Sequence, residues 1–334
     1  MTIQVGINGF GRIGRSVFRI ISDRDDVDVV GINDLFDNEQ LAYLLKYDTV
    51  MGVLQKEVKI EGDAMYVDGQ KVVMTAHRNP AEIPWKDMGA QVVIESTGVF
   101  RDRASIEKHF EGGTEKVILT VPARDEIDAT IVMGVNEDQL KPEHRIVSNA
   151  SCTTNCLAPI AKVLDESFGI EEGFITTVHA YTNDQRLADV PHKDFRRSRA
   201  AGENIIPTST GAAKAVGKVL PQLQGRLDGM AMRVPVPDGS IVDLVCRLQK
   251  NATRQDVNNA VKTAAEGPMK RVVDYSEAPL VSSDIIGNPH SSIFDAVSTS
   301  SQDDGYVKII SWYDNEWGYS NRVVDLIEKL ASAG

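Results

Sequence analysis

Cys152 and His179 are the two side chains whose types and surroundings most clearly permit covalent chemistry. Cys152 lies within residues 148–156, between an apolar run and a segment of helix character at 157–168. At the N-terminus of a helix, several backbone N–H groups have no intrahelical partner and the helix dipole favours an anion. We therefore expect a thiol there to ionise readily, and we expect the same amides to hold an oxyanion.

His179 lies near the carboxyl end of residues 173–182, which are predicted to form a strand. If it lies beside Cys152, a thiolate and an imidazolium stabilise each other, and the imidazole can exchange a proton with a substrate oxygen. A single histidine is more often structural, and a single cysteine is more often buried. Their combination favours a nucleophile with its base.

Basic and hydroxyl side chains that follow predict anion binding. Residues 192–199, in the loop-like segment 183–210, include several arginines, whose guanidinium groups suit phosphate, although a solvated or subunit-facing loop is the ordinary alternative. Residues 207–214 place hydroxyl groups and a glycine before a helix, which is a second plausible anion site. Arg233 ends an apolar stretch, where its charge needs a partner. Two anion sites would therefore flank one thiol, one for a phosphate on the substrate and one for a phosphate reactant.

The first residues of the chain predict a dinucleotide site. Residues 3–7 are predicted to form a buried strand, and Gly9, Gly11 and Gly14 then make a G-x-G-x-x-G pattern before a helix at 16–22. A second strand at 27–32 ends just before Asp34, the position expected for a carboxylate that binds ribose hydroxyls. Because a carboxylate repels a 2′-phosphate, Asp34 favours NAD over NADP. A solvated turn aspartate is the alternative.

These side chains need two sheets to position them. Apolar runs at 92–95, 117–120 and 146–147 are typical of strands buried on both faces, whereas residues 58–75 are predicted to form a small antiparallel excursion. The later strands, at 240–249, 272–275, 292–296 and 307–313, predict a second, mixed sheet. We therefore expect an α/β protein with a Rossmann domain and an α+β catalytic domain whose mixed sheet is mainly antiparallel. The predicted domains are residues 1–150, completed by a C-terminal helix within 315–334, and residues 151–314.

Composition excludes several classes of protein. A chain of 334 residues suits two domains of ~150 residues each. No apolar run approaches the ~20 residues that span a bilayer, so no membrane partner is expected, and a formal net charge of −12 disfavours nucleic acid as the primary partner. Three cysteines indicate a reducing compartment, hence the cytoplasm. Cys156 and Cys246 are expected to be structural, and no metal site is expected.

Three segments carry a family resemblance: G-I-N-G-F-G-R-I-G at 6–14, S-C-T-T-N-C at 151–156 and W-Y-D-N-E-W-G-Y at 312–319. Together they resemble phosphorylating glyceraldehyde-3-phosphate dehydrogenase over residues 3 to 330. The resemblance implies NAD as the cofactor, D-glyceraldehyde 3-phosphate and inorganic phosphate as reactants, and a homotetramer.

The resemblance also implies a role for individual residues. The cofactor contacts are Gly9, Gly11, Arg12, Ile13, Gly14, Asp34, Arg78, Thr120 and Asn315. The substrate phosphate is placed at Thr182 and Arg233, inorganic phosphate at Ser151, Thr153, Thr210 and Gly211, and Arg197 between the two.

The predicted reaction begins with attack of the Cys152 thiolate on the aldehyde to give a thiohemiacetal. His179 then removes the hydroxyl proton while NAD accepts a hydride, and phosphate cleaves the resulting thioester to give 1,3-bisphosphoglycerate. This reaction is reversible and would serve glycolysis or gluconeogenesis. Two alternatives remain open here: an erythrose-4-phosphate dehydrogenase that hydrolyses the thioester, and a nucleotide- or RNA-binding protein with incidental activity.

Overall fold

The computed structural model describes residues 2–332, which form two compact units. The first unit contains the described residues up to Ile131, Glu137–Ala150 and the residues from Ser320 onward; the second contains Val132–Asn136 and Ser151–Tyr319. Within residues 2–332, no helix is both long enough and apolar enough to cross a membrane. The assignment of residues 1–150 and 315–334 to an NAD-binding domain stays a prediction, as does the assignment of residues 151–314 to a catalytic domain.

The strands of the first unit are β1 (Ile3–Asn8), β2 (Val27–Asn33), β3 (Tyr47–Asp48), β4 (Gly52–Val53), β5 (Val58–Glu61), β6 (Ala64–Val67), β7 (Gln70–Thr75), β8 (Val92–Glu95), β9 (Lys116–Leu119), β10 (Ala129–Thr130) and β11 (Ile146–Ser148). Its helices are α1 (Arg12–Ile21), α2 (Asn38–Lys46), α3 (Trp85–Met88) and α4 (Arg103–Glu107), with 3₁₀ turns at Pro80–Glu82, Lys108–Phe110 and Glu137–Gln139. Residues 103–110 therefore form an α-helix followed by a 3₁₀ turn.

Nine of these strands form one sheet in the order β10-β11-β9-β8-β1-β2-β7-β6-β5. The strands from β10 to β7 pair in parallel, and β7, β6 and β5 pair antiparallel. The antiparallel strands predicted over residues 58–75 are therefore part of the main sheet, because β7 pairs with β2. Every residue of β8 is buried, as expected for a strand covered on both faces.

The second unit contains β12 (Ile170–Ala180), β13 (Ile206–Ser209), β14 (Leu227–Val234), β15 (Ser240–Leu248), β16 (Val273–Ser276), β17 (Ser292–Ser301) and β18 (Tyr306–Tyr313). Its helices are α5 (Cys152–Phe168), α6 (Ala212–Val219), α7 (Arg254–Glu266) and α8 (Ser282–Ile285), with 3₁₀ turns at Arg196–Ser198 and Pro221–Leu223; α9 (Trp317–Ser332) begins in this unit and ends in the first.

The seven strands of the second unit lie in the order β13-β14-β12-β15-β18-β17-β16. Only the pairs β12·β14 and β16·β17 are parallel, and the other pairs are antiparallel. This arrangement is the expected mixed and mainly antiparallel sheet. The segment 183–210 is less irregular than predicted, because its end forms strand β13 against β14.

Candidate functional site

The turn between β1 and α1 has room only for glycine at two of its three fingerprint positions. Gly9 has a φ of +92°, and a Cβ there would lie 2.7 Å from the backbone N of Thr97. At Gly14, a Cβ would lie 2.3 Å from the Gly9 carbonyl oxygen. Gly11 is the N-cap of α1 and has open space around it. An anion can therefore approach the first turn of the helix there, as a dinucleotide pyrophosphate requires.

Asp34 lies just beyond β2, where its carboxylate is held by backbone amides. Its Oδ2 accepts a hydrogen bond from the Phe10 N–H at 2.6 Å, and its Oδ1 accepts one from the Phe36 N–H at 3.1 Å. Each carboxylate oxygen can accept a further hydrogen bond. The geometry fits a carboxylate that receives two ribose hydroxyls.

The other predicted cofactor residues of this unit differ in what their side chains can offer. The Arg12 guanidinium is engaged bidentately by Asp48, at 2.9 and 3.2 Å, and Ile13 is half-buried in the first turn of α1. Thr120 is buried and donates its hydroxyl to the Glu95 carbonyl at 3.2 Å. Arg78 is exposed and follows β7, which places it at the same edge of the sheet as Asp34.

A buried polar network supports this edge of the sheet, and the sequence interpretation missed it. Glu95 is fully buried and accepts hydrogen bonds from the Asn8 side chain at 2.6 Å and from the Thr97 N–H at 2.9 Å. The Trp85 indole N–H donates to Nδ1 of His109 at 3.0 Å, so Nε2 of His109 carries the proton that faces Glu95 at 3.0 Å. The sequence feature that could have indicated this network is Glu95 itself, a glutamate at the end of an otherwise apolar strand.

In the second unit, Cys152 is the first residue of α5. Ser151 is the N-cap, and its hydroxyl oxygen accepts a hydrogen bond from the Thr154 N–H at 3.1 Å. The helix begins at Cys152 rather than at 157. Pro159 therefore lies in the helix interior, not in its first turn, and the bond from residue 159 to the Asn155 carbonyl is missing.

The structure brings Cys152 and His179 together. The Cys152 Sγ lies 3.4 Å from Nε2 of His179, which is 4% exposed at the end of β12. The ring of Tyr313 meets the imidazole edge-on, with centroids 5.8 Å apart, and its hydroxyl bonds the side chains of Thr153 and Thr177. The imidazole is therefore held in place by packing on one side and the thiol on another.

Arg233 lies on the far side of the imidazole, because β12 and β14 pair with His179 opposite Arg233. Its Nη1 is 2.5 Å from Nδ1 of His179 and 2.9 Å from the Ala180 carbonyl oxygen, while Nδ1 itself is 2.7 Å from that oxygen. A guanidinium only donates and a carbonyl only accepts, so Nδ1 can satisfy one of them at a time. If Nδ1–H donates to Ala180, the Nε2 lone pair faces the thiol.

The charge state differs from the predicted ion pair. Burial, and then the positive charge of Arg233, lower the pKa of His179 to about 3. Burial raises the pKa of the Cys152 thiol, while Arg233 and the N–H of Thr153 oppose that rise. At neutral pH the structure therefore holds a thiol beside a neutral imidazole. Burial favours the neutral form of both groups, and the thiolate–imidazolium pair stays a prediction.

Arg233 is a cation without a complete set of partners. Its Nε is buried and has no hydrogen-bond partner among the described residues. Burial lowers the pKa of the Arg233 guanidinium, Cys152 and Tyr313 oppose this, and the like charge of Arg197 adds to the lowering. Two guanidinium groups thus lie within electrostatic reach of each other, which favours an anion between or beside them.

Arg197 is surrounded by acceptors at the start of the second candidate anion site. Its Nε donates to the Thr208 hydroxyl at 2.9 Å, its Nη2 to the Ser209 carbonyl at 3.3 Å, and its Nη1 to Asp184. Thr210 and Gly211 follow at once, and Gly211 is the N-cap of α6. Arg197 and the start of α6 therefore lie together, as the sequence predicts.

The remaining predicted residues are placed as follows. Thr182 follows β12, and its N–H donates to the Gln185 side chain at 3.0 Å. The Asn315 side-chain oxygen accepts a hydrogen bond from the Ser240 hydroxyl at 2.6 Å, and Ser240 in turn accepts from the Ala180 N–H at 3.0 Å. Ser240 thus connects Asn315 to the strand that carries His179, a link that no local sequence signal indicated.

All three cysteines are free thiols. Cys156 and Cys246 are fully buried, and burial raises the pKa of each to about 12, as expected for structural thiols. In the part of the chain that the structure describes, no group of three or more His, Cys, Asp and Glu side chains is arranged to hold a metal ion.

Comparison with protein-family models decides the assignment. Residues 3–103 match the NAD binding domain of glyceraldehyde 3-phosphate dehydrogenase, and residues 151–315 match the C-terminal domain of the same enzyme. This chain belongs to the glyceraldehyde-3-phosphate dehydrogenase family. The resemblance, the fold class, the glyceraldehyde-3-phosphate dehydrogenase activity and NAD as the cofactor, all expected from the sequence, are confirmed.

Individual members of the family are similar over the whole chain. Glyceraldehyde-3-phosphate dehydrogenase of Priestia megaterium is 58% identical, with all of both chains covered. The enzyme of Streptomyces coelicolor is also 58% identical, with 98% of each chain covered, and glyceraldehyde-3-phosphate dehydrogenase 1 of Bacillus subtilis is 56% identical, with both chains fully covered.

Proposed function

We propose that this chain oxidises and phosphorylates D-glyceraldehyde 3-phosphate with NAD and inorganic phosphate, giving 1,3-bisphosphoglycerate. The observation that carries the proposal is the thiol of Cys152 at a helix N-terminus, 3.4 Å from a buried imidazole, in a member of this family. The reaction is reversible and serves glycolysis or gluconeogenesis.

Cys152 is the proposed nucleophile, and His179 is the proposed base. A neutral imidazole is the form that can accept a proton, and burial keeps His179 neutral. With Nδ1–H donating to the Ala180 carbonyl, Nε2 takes the thiol proton as Sγ attacks the aldehyde. It returns that proton to the aldehyde oxygen, whose negative charge the amides at the start of α5 stabilise, and this gives the hydroxyl of the thiohemiacetal. The neutral Nε2 then takes that hydroxyl proton as the thioester forms.

The residues proposed to hold the cofactor fit a dinucleotide. Gly9, Gly11, Arg12, Ile13 and Gly14 offer backbone at the start of α1, where the pyrophosphate would bind. Asp34 would receive the ribose hydroxyls, and Arg78, Thr120 and Asn315 are the further proposed contacts. Bound NAD supplies the hydride acceptor of the oxidation.

Two anion sites are proposed around the thiol. Thr182 and Arg233 would hold the phosphate of the substrate, and the unpartnered Nε of Arg233 supports this role. Ser151, Thr153, Thr210 and Gly211 would hold inorganic phosphate, with Arg197 between the two sites. The start of α6 supports the second site, since a helix N-terminus favours an anion.

We also propose a homotetramer in the cytoplasm. Leu187 and Phe195 are 94% and 87% exposed on the segment 183–210, and apolar side chains exposed to this degree are typical of a subunit contact. Three free cysteines support a reducing compartment.

The test is NADH formation with glyceraldehyde 3-phosphate and NAD, with and without inorganic phosphate, for the wild-type protein and for Cys152→Ser. We expect sustained turnover only with phosphate and loss of at least a thousandfold in the variant, because its hydroxyl is a far weaker nucleophile than a thiol. Cys246→Ser, which changes a buried thiol in strand β15 of the same unit, is the matched control and should retain turnover. Turnover that is indifferent to phosphate would instead indicate a hydrolysing dehydrogenase.

A further inference from the structure

Ser240 is a fully buried serine at the start of strand β15, and its hydroxyl has a partner on each side. The hydroxyl oxygen accepts a hydrogen bond from the Ala180 N–H at 3.0 Å. The hydroxyl proton is donated to Oδ1 of Asn315 at 2.6 Å. An amide oxygen accepts hydrogen bonds and cannot donate them, so the direction of this second bond is fixed. Ser240 therefore joins strand β12 to the side chain of Asn315.

The bond from Ser240 determines which end of the Asn315 amide is left for a ligand. With Oδ1 held by the hydroxyl, the Nδ2 group is turned away from Ser240. Among residues 2–332, no group accepts a hydrogen bond from this Nδ2, and the atom is not sealed from solvent. If the amide turned over, the buried hydroxyl proton would face Nδ2, which offers it no acceptor. Asn315 therefore presents two N–H donors, and no acceptor, to a ligand.

The turn before Ser240 holds the backbone of Asn315 as well. Asp238 is fully buried, and its Oδ1 accepts hydrogen bonds from the Gly239 N–H at 2.8 Å and from the Asn315 N–H at 3.2 Å. Gly239 has a φ of +83°, and a Cβ there would lie 2.2 Å from the Ser282 carbonyl oxygen. The turn is therefore closely packed and leaves Ser240 little room to move. Asn315 is held by it twice, at the backbone and at the side chain.

Two N–H donors on one nitrogen recognise an acceptor, such as a carbonyl oxygen. A carboxamide on a ligand carries a carbonyl oxygen and an NH₂ group, and only the oxygen can accept a hydrogen bond from Nδ2 of Asn315. The nicotinamide of NAD carries such a carboxamide, and Asn315 is one of the proposed cofactor contacts. The orientation of the Asn315 amide therefore decides which end of the carboxamide it binds.

We propose that Ser240 is a positioning residue for the cofactor: its hydroxyl fixes the Asn315 amide so that Nδ2 binds the carbonyl oxygen of the nicotinamide carboxamide. This inference rests on the proposed function, because it takes Asn315 as a cofactor contact. Ser240 acts through Asn315 and not by a contact of its own with NAD. Its bond to the Ala180 N–H also ties the Asn315 amide to the strand that carries the proposed base, His179.

Titration of the full-length protein with NAD and with ADP-ribose tests the proposal, because ADP-ribose lacks the nicotinamide. In Ser240→Ala, the Asn315 amide loses the donor that orients it. We expect the Kd for NAD to rise about fivefold, the worth of one ordinary hydrogen bond, and the Kd for ADP-ribose to stay unchanged. An equal rise for both ligands would show a general disturbance of the protein and would overturn the proposal.

Ser292→Ala is the matched control. Ser292 is also fully buried and also begins a strand of the same sheet, but its hydroxyl bonds the Ser311 hydroxyl, at 2.6 Å. The Kd values of this variant for NAD and ADP-ribose should equal those of the wild type. If Ser292→Ala weakened NAD binding as much as Ser240→Ala does, the effect would belong to any lost buried hydroxyl, and the assignment to Ser240 would be wrong.

A double-mutant cycle with Asn315→Ala separates positioning from a structural role. Two residues that act through one contact give non-additive effects. In a protein that already lacks the Asn315 amide, Ser240→Ala should therefore leave the Kd for NAD unchanged. Additive losses in the double variant would show that Ser240 acts by another route and would contradict the proposal.

A measurement on the wild-type protein alone tests the orientation of the amide. The acetylpyridine analogue of NAD keeps the carbonyl oxygen and replaces the NH₂ group with a methyl group, whereas the thionicotinamide analogue replaces the oxygen with sulfur, a weaker acceptor. We expect the thionicotinamide analogue to bind about fivefold more weakly than the acetylpyridine analogue. Equal binding, or the reverse order, would overturn the proposal whether or not the variants fold.

The proposed function fails by different results. Turnover that does not need phosphate would contradict the proposed reaction and would leave the titrations with NAD and ADP-ribose unaffected. An unchanged Kd for NAD in Asn315→Ala would remove Asn315 as a cofactor contact, and the positioning role with it. Weaker NAD binding in Asn315→Ala but not in Ser240→Ala would contradict only the positioning by Ser240.

Discussion

Individual arginines of the candidate sites differ in how much of their charge is already paired. Arg12 is held by Asp48 and Arg197 by Asp184, whereas Arg233 contacts an imidazole and a carbonyl oxygen. A guanidinium whose neighbours are neutral attracts an anion more strongly than one that is already paired. The sequence predicted all three arginines as binding residues. Only the structure shows which of them is already paired with a carboxylate, because the partner of a charge can lie far away along the chain.

The first prediction concerns Asp34 and the preference for NAD over NADP. Replacing it with alanine removes the acceptor for the ribose hydroxyls and the negative charge that would repel a 2′-phosphate. We expect the KM for NAD to rise about tenfold or more, and the preference for NAD over NADP to narrow. The ratio of kcat/KM for the two cofactors measures this.

Asp37→Asn is the matched control for that variant. Asp37 caps α2 in the same loop, and asparagine can also cap a helix, so the cofactor ratio should not change. An unchanged ratio in Asp34→Ala would count against the ribose role.

At the scale of elements, local signals predicted some helices and strands well and others poorly. Helix α7 begins at Arg254, because Thr253 and Asp256 form a capping box whose residues are visible in the sequence. Helix α5 begins earlier than predicted, because the cap by Ser151 extends it over residues of weak helix propensity. Strand β13 was missed, since its four residues depend on pairing with β14.

The end of strand β8 gives a prediction at this scale. Glu95→Ala would leave the Asn8 amide, the Thr97 N–H and Nε2 of His109 without their buried acceptor. Each buried group left unsatisfied costs about 1–3 kcal/mol. We expect a loss of several kcal/mol from the free energy of unfolding and weaker NAD binding, because Thr97 packs against the Gly9 turn.

Denaturant unfolding and titration with NAD measure the two effects. Glu95→Gln retains an acceptor oxygen and should lose less stability than Glu95→Ala. Equal stability of wild type and Glu95→Ala would show that the network does not support the turn.

At the scale of the whole molecule, a buried acidic pair makes stability depend on pH. Asp238 and Asp314 are fully buried in the second unit, and Glu316 lies nearby. Burial, with the negative charges of Asp314 and Glu316, raises the pKa of Asp238 to about 9. Since the unfolded value is about 3.9, the folded protein binds more protons between these values, and its stability falls as pH rises through that window.

Asp238→Asn should therefore stabilise the protein at alkaline pH. The variant keeps a side-chain oxygen for the N–H groups of Gly239 and Asn315 and carries no charge. We expect a higher Tm than wild type at pH 8, by roughly 2–4 °C for each kcal/mol gained, and a difference that shrinks towards pH 4. Thermal unfolding across this range at constant protein concentration tests it.

The exposed Asp304 provides the control, because its replacement by asparagine should not change how Tm depends on pH. A difference between Asp238→Asn and wild type that stays constant with pH would contradict the assigned cause.

The sequence by itself determined the features that depend on neighbouring residues. These include the glycine turn, the placement of Asp34, the alternation of buried strands and the three motifs of the family, because backbone conformation and burial pattern follow from local residue types. The nucleophile and its histidine could also be named, since their types limit the possible chemistry.

Only the tertiary structure decided which charges meet and which are desolvated. The pairing of β12 with β14 places Arg233 against His179, and burial makes that histidine neutral; the turn after β12 brings Asp184 to Arg197. These contacts join residues that are far apart along the chain. The cost of burying a charge depends on the packing around it, which no local pattern encodes.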